Sequence, residues 1–371
     1  MRGFNTFLCV IVVLLFFSCN TRGRLLLQDS EVDYYEHSNF VLEGNELNLD
    51  GIGLDDIMFC DSLLLFLTGD ADGIMKVYDP KTCKEVVHFG YFGRAKNEFK
   101  QPMFIHGSQY KRDGKTIVPL IDGGSLIIEM DFTNSVREKN AVVEHTEYLS
   151  FGNYYEESIS FLDNDISKFF HSSRPERDFV LKKWNAPYFE VVNKDEKQQI
   201  PVYSKITKTD SEDCYSAMYS GVLYKHPSKN MFVYPFLSRD YIFYFDLDNE
   251  NYFSIHQKGV KSFDDKYYKN SSDYGRMTFT NALATNDFII ANYCGGSYFK
   301  QGLESENYCT ELILFDWDGN YLCGIKIGLN INRTAYDPER RILFGLDRVR
   351  EKVYEFDFAP IVDYINENAQ H

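Results

Sequence analysis

The chain has 371 residues, 44% of them apolar and 16% aromatic, with 27 Tyr and 31 Phe. That composition can bury a large core, which excludes a disordered chain, and the aromatic load favours strands over helices. Lys plus Arg is 39 against 55 for Asp plus Glu, a formal charge of −16. Such a surface repels phosphate backbones and anionic lipid, so nucleic acid is excluded as a partner and broad electrostatic adhesion to membranes is disfavoured.

Residues 1–18 read as an export signal. Arg2 supplies the positive start, and Phe7–Phe17 is an unbroken apolar run, too short for a membrane span of about 20 residues. Phe16-Phe17-Ser18-Cys19 resembles a bacterial lipobox, with a small residue directly before the cysteine. The resemblance implies that Cys19 is diacylated and becomes the mature N-terminus; an ordinary secretory signal or an uncleaved anchor is the plainer alternative. Asn20 in place of an aspartate implies no inner-membrane retention. Thr21-Arg22-Gly23-Arg24 lacks the acidic run associated with surface export, which points to an outer-membrane lipoprotein on the periplasmic face.

Residues 19–38 are mostly polar and read as a tether. A first strand is expected over Phe40–Leu49. Leu63–Thr68 and Ile74–Tyr78 then form an alternating hairpin around Gly69–Gly73, ended by Asp79-Pro80. The cadence recurs at Thr116–Asp131, at Asp165–Phe170 with Asp178–Trp184, at Asn230–Asp246, at Asp287–Tyr293 with Glu311–Asp316, and at Arg341–Asp357. The third-strand endings match: Val77-Tyr78-Asp79, Glu129-Met130-Asp131, Tyr244-Phe245-Asp246, Leu314-Phe315-Asp316 and Glu355-Phe356-Asp357. Six strand-only units of roughly 40–50 residues are the pattern of an all-β, six-bladed β-propeller. The expected organisation is signal peptide 1–18, tether 19–38, propeller 39–360 and C-terminal tail 361–371. Phe40–Leu49 would supply the strand missing from the last blade and close the ring. No amphipathic helix of usable length is evident, which argues against a βαβ fold.

Between the first and second units lies Phe89-Gly-Tyr-Phe-Gly-Arg-Ala-Lys-Asn-Glu-Phe99. Gly90 and Gly93 suit positive φ, Arg94 and Glu98 can bond within the loop, Asn97 sits beside them, and Phe99 can anchor the loop in a core. With the lipobox and the six units, Gly93, Arg94, Glu98 and Phe99 resemble the Gly-Arg-Gly-Pro-x-Glu-Phe loop of the TolB-like six-bladed propeller lipoproteins of Bacteroidetes. Ala95 and Lys96 stand where that family shows Gly and Pro. The phrase Tyr336–Leu343 is similar to the family's final-blade entry. The resemblance implies fold and location more than activity.

The loop reads as an inter-blade clasp, with a ligand role for Arg94 as the alternative. Asp70–Gly73 and Asp316–Asn320 suit hairpin turns better than calcium loops, because the twelfth position counted from Asp316 is Ile327 and not a glutamate. The eight histidines are scattered, although a propeller channel could bring some together. No Gly-x-Ser-x-Gly elbow, phosphate loop or Cys-x-x-Cys occurs, and no catalytic residue, metal or cofactor is assigned. Cys294 and Cys309 flank Gly295-Gly296 and could staple that loop, or remain buried thiols. The long insertions, with Tyr267, Tyr268 and Tyr274 among them, suit contact with protein or glycan. The expectation is a binding or scaffolding module for an envelope protein, peptide or glycan; the alternative is a hydrolase or lyase acting on carbohydrate or lactone, with its site in the central channel.

Overall fold

In the computed structural model the described residues are 24–34, 38–49, 53–93, 95, 97–149, 159–172, 176–178, 183–185, 189–194, 196–204, 220–260, 276–298 and 311–368. The repeating hairpins are the second and third strands of successive four-stranded antiparallel sheets. Blade 1 runs Leu54–Cys60, Leu63–Thr68, Met75–Asp79 and Lys84–Phe89. Blade 2 runs Pro102–Phe104 with Tyr110–Arg112, then Lys115–Asp122, Leu126–Asp131 and Val143–Tyr148. Blade 3 is Ile159–Leu162, Asp165–Ser172, Phe189–Asn193 and Glu196–Ile200; blade 4 is Tyr224–Lys225, Met231–Pro235, Tyr241–Asp246 and Asn251–Gln257. Blade 5 is Arg276–Ala284, Ile289–Tyr298, Glu311–Phe315 and Tyr321–Lys326, and blade 6 is Arg333–Asp337, Ile342–Asp347 and Lys352–Asp357. The chain is a six-bladed β-propeller.

The middle strands read as apolar runs because both of their faces are covered by neighbouring blades. Leu64–Leu67, Phe232–Tyr234 and Leu343–Phe344 are all buried. Among the described residues the core divides into six clusters, one for each blade interface. The cluster holding Ile57, Leu64 and Phe66 of blade 1 with Phe344, Leu346 and Val353 of blade 6 closes the circle. Truncating a buried phenylalanine such as Phe344 costs about 3–5 kcal/mol in comparable cores.

The matched aspartates end the third strands for a local reason. Asp79 accepts the Lys81 N–H at 2.9 Å, Asp246 the Asn249 N–H at 3.1 Å and Asp357 the Ala359 N–H at 3.0 Å. Asp131 caps the Phe132–Glu138 helix through the Asn134 N–H. Asp316 accepts the N–H groups of Asp318 and Asn320 at 2.9 and 2.7 Å, so its carboxylate serves its own turn. Blade 3 departs from the expected pairing. Glu176–Asp178 and Lys183–Asn185 pair with each other, and Phe189–Asn193 is the blade's third strand.

The N-terminal chain is a strap laid over three blades. Arg24-Leu25 pairs with Tyr203-Ser204. Gln28–Val32 then adds as a fifth, parallel strand to the outer edge of blade 4, and Ser38–Val41 does the same on blade 5. Asn45–Leu47 pairs antiparallel with Val353–Glu355 and completes blade 6. The expected single strand over Phe40–Leu49 is thus two strands on two blades, broken at Gly44, where a Cβ would lie 2.7 Å from the Phe356 ring. The strap begins within the stretch read as a tether. At the other end, Ala359–Asn368 is a helix that buries Ile361 and packs Tyr364 edge-on against Phe40 of the strap, ring centroids 5.1 Å apart.

Candidate functional site

The innermost strands carry few polar side chains, and these meet around the channel. Asp56 of blade 1 bonds His106 Nε2 of blade 2 at 2.9 Å. Ser108 Oγ of blade 2 lies 2.8 Å from Ser160 Oγ of blade 3. Tyr224 of blade 4 donates to Asn281 Oδ1 of blade 5 at 2.7 Å, and Asn281 Nδ2 reaches Thr334 Oγ1 of blade 6 at 3.4 Å. Arg333 Nε of blade 6 lies 3.6 Å from Asp56 Oδ1, which links the last blade back to the first. Burial alone would raise the Asp56 carboxyl, but the charges of His106 and Arg333 and the hydrogen bonds from His106 and the Ile57 N–H outweigh it and hold it below the usual carboxylate range.

A bulge builds the floor. Phe104 pairs with Leu120 and Tyr110 with Ile117, so five residues, 105–109, face two on the partner strand. The surplus forms a turn closed by the Ser108 N–H on Ile105 O at 3.2 Å. Gly107 takes φ +73°, and a Cβ there would stand 2.4 Å from Lys225 O of blade 4. The bulge therefore leaves blade 2 and touches blades 1, 3 and 4. Beneath it the channel narrows to a cavity of about 20 Å³, lined by Asp56, Phe104, Tyr224, Asn281 and Arg333 among others. That is room for about one water.

Above the bulge opens a pocket of about 480 Å³. Its walls come from the hairpins joining first and second strands in blades 1, 4, 5 and 6, and from Gly107–Lys111 of blade 2. Phe59, Leu283, Ala284 and Tyr336 supply apolar surface; Asn286, Thr285, Gln109 and Glu339 supply polar groups. Lys111 and Asp61 in the wall are paired with each other, and at the floor His106 and, below it, Arg333 are paired with Asp56. His226 ties two rim hairpins together, its Nε2 3.1 Å from Asn286 O and its Nδ1 accepting the Ser228 N–H at 3.1 Å. Burial, with Lys229 nearby, pushes its pKa down to about 4, so it sits neutral.

The loop singled out from sequence lies elsewhere, between blades 1 and 2. Phe99 is buried in their shared cluster, and Glu98 Oε2 accepts the Ala95 N–H at 2.8 Å. Gly90 has the expected positive φ of +75°. Gly93 does not; it is needed for space, since a Cβ there would collide with the Glu98 carboxylate. Asn97 takes φ +68°. Arg94 and Lys96, like Cys19, lie outside the described residues. Asp122 supplies a hold that sequence reading missed, accepting the N–H groups of Lys100 and Gln101. Of the described histidines only His106 lines the pocket. Cys294 is disulfide-bonded, while its expected partner Cys309 lies outside the described residues; Cys60, Cys83 and Cys323 are free. Among the described residues no cluster of three His, Cys, Asp or Glu could hold a metal.

The pocket's residues are far apart in sequence, so spacing could not reveal it. The usable signal was Ile105-His106-Gly107-Ser108-Gln109, a polar, glycine-bearing interruption of an otherwise apolar inner strand.

No protein-family model matches the sequence, and no curated protein matches it. Similar solved structures include a member of the DUF4221 family from Bacteroides vulgatus, at 11% identity and TM-score 0.50, covering 91% of this chain and 98% of that one. A putative exported protein from Bacteroides fragilis aligns at 13% identity and TM-score 0.49, over 88% of this chain and 98% of that one. The β-propeller domain of Cps50 (Swd1) from Myceliophteria thermophila aligns at 10% identity and TM-score 0.40, over 85% of this chain and 99% of that one. At these identities the likeness is one of fold.

Proposed function

We propose that this chain is an exported, lipid-anchored β-propeller of the TolB-like kind that binds a peptide or glycan segment, free or carried by an envelope protein, in the pocket above the bulge. The pocket carries the reading. Its volume lies in the range of small-ligand sites, and its mixture of apolar walls and a few polar groups is the usual chemistry of such sites. Pairing of the floor charges favours a ligand that is neutral where it meets them. The polar links between inner strands hold the pocket's shape before a ligand arrives, which lowers the ordering cost of binding. Residues 1–18 would be removed on export and Cys19 lipidated, at the periplasmic face of the outer membrane. Among the described residues no helix is long and apolar enough to cross a membrane.

A second reading, a hydrolase or lyase, draws on the His106–Asp56 pair. His106 Nε2 is engaged by Asp56, and Nδ1, which has no hydrogen-bond partner among the described residues, would be the proton-transfer atom. One comparison separates the two. Capture from envelope extracts by the wild-type protein and by Ala284→Phe, which fills the pocket, should lose the bound component in the variant at unchanged melting temperature. Equal capture by both proteins contradicts a pocket ligand. Turnover of a captured glycan that disappears in His106→Gln while binding persists would favour the enzyme.

A further inference from the structure

The start of the strap fixes how the propeller stands on a membrane. Arg24 is already paired with Ser204, the Leu26 N–H donates to Val202 O at 2.9 Å, and by Gln28 the chain is a strand on blade 4. Four residues lie between Cys19 and Arg24, which makes five steps along the chain, and an extended chain spans at most about 3.3–3.6 Å per step, or about 17 Å here. The strap is held along its length. Asp29 accepts from Ser254 Oγ at 2.7 Å and lies 3.0 Å from His256 Nδ1, the Tyr34 N–H donates to Gln257 at 2.9 Å, and Asn45–Leu47 is part of blade 6. Slack can be drawn from it only by stripping the Arg24–Leu25 pairing and then the edge strand from blade 4. Leu26, at the start of the strap, is 50% exposed, whereas Leu25 and Leu27 pack into the cluster of blades 3 and 4.

We propose that the outer rim between blades 3 and 4 is a membrane-facing surface, with Leu26 at its point of closest approach to lipid, and that the rim of blades 6 and 1 points away. This rests on lipidation of Cys19. The short leash restricts reorientation, so the pocket is presented to ligands at a fixed attitude to the membrane instead of tumbling on a long tether.

The test uses full-length lipidated protein in vesicles containing a headgroup-tethered nickel chelate. In a Cys83→Ser background, a nitroxide is placed on Gln198→Cys of blade 3 or on Lys84→Cys of blade 1, both exposed outer-strand positions. Collision with the chelate should be several-fold stronger at position 198. The difference should collapse when a twenty-residue Gly/Ser linker, about 25 Å across as a flexible coil, is inserted after Gly23. Equal collision at the two positions, in protein whose N-terminal mass confirms the lipid, overturns the orientation and leaves the anchor standing. An unlipidated N-terminus in the wild type, with unchanged membrane fractionation of Cys19→Ala, overturns the anchor and this inference with it.

Discussion

At the scale of single residues, function turns on a few positions where backbone and polar chemistry are tightly constrained. Gly107 is one. Its φ of +73° and the 2.4 Å approach of Lys225 O leave no place for a side chain. Strain from the dihedral alone costs on the order of 1–3 kcal/mol, before the clash is counted. Gly107→Ala should therefore lower the urea midpoint and release His106 from Asp56, visible as a change in the His106 imidazole NMR chemical shifts; an unchanged midpoint would show that the bulge is not seated on blade 4. His226 sets a pH dependence. Its pKa of about 4 lies below the ordinary histidine value of about 6.5, so the unfolded chain binds the proton first. The stability it contributes is complete above about pH 6.5, falls as pH drops towards 4 and levels off below that. At about 1.4 kcal/mol per unit the loss is on the order of 3 kcal/mol at most. His226→Gln should flatten melting temperature against pH in that window, and an equally steep profile in the variant would refute the assignment.

At the scale of elements, what could be read from sequence follows burial. The middle hairpins were legible because both faces are covered, giving apolar runs such as Leu63–Leu67, and because the third strand of every blade but blade 3 ends on an aspartate that satisfies turn N–H groups. The strap was not legible. Gln28–Val32 is polar and mostly exposed, and is held by main-chain pairing and by Asp29, so it has no apolar period to detect. Blade 3 misled because a small hairpin sits between its second and third strands. The C-terminal helix was overlooked because it is short and buries only Ile361 fully. Gly44 offers a test of the strap. A Cβ there meets Phe356 at 2.7 Å and Leu329 at 2.9 Å, and overpacking of this kind costs about 1–3 kcal/mol. Gly44→Val should speed proteolysis of the N-terminal segment while leaving far-ultraviolet dichroism intact; unchanged cleavage would mean that the strap does not depend on this crossing.

At the scale of the whole molecule, the ring turns remote residues into neighbours. Asp56 and Arg333 are adjacent only because blade 6 closes on blade 1, and His106 reaches Asp56 only through the bulge. No linear spacing encodes that, which is why the fold could be anticipated from Asp-ended hairpins while the pocket could not. The loop around Gly93, prominent in the sequence, holds Phe99 between two blades and lies outside the pocket lining. The central claim is that ligand contact occurs at the hairpin rim of the channel. The most direct measurement is photocrosslinking in intact cells, with p-benzoylphenylalanine at the exposed pocket residue Asn286 or at Glu85 on the outer edge of blade 1. A discrete adduct at 286, absent at 85 and lost on adding Ala284→Phe, is the expected result. Adducts at 85 alone, or an adduct at 286 that persists when the pocket is filled, would contradict it.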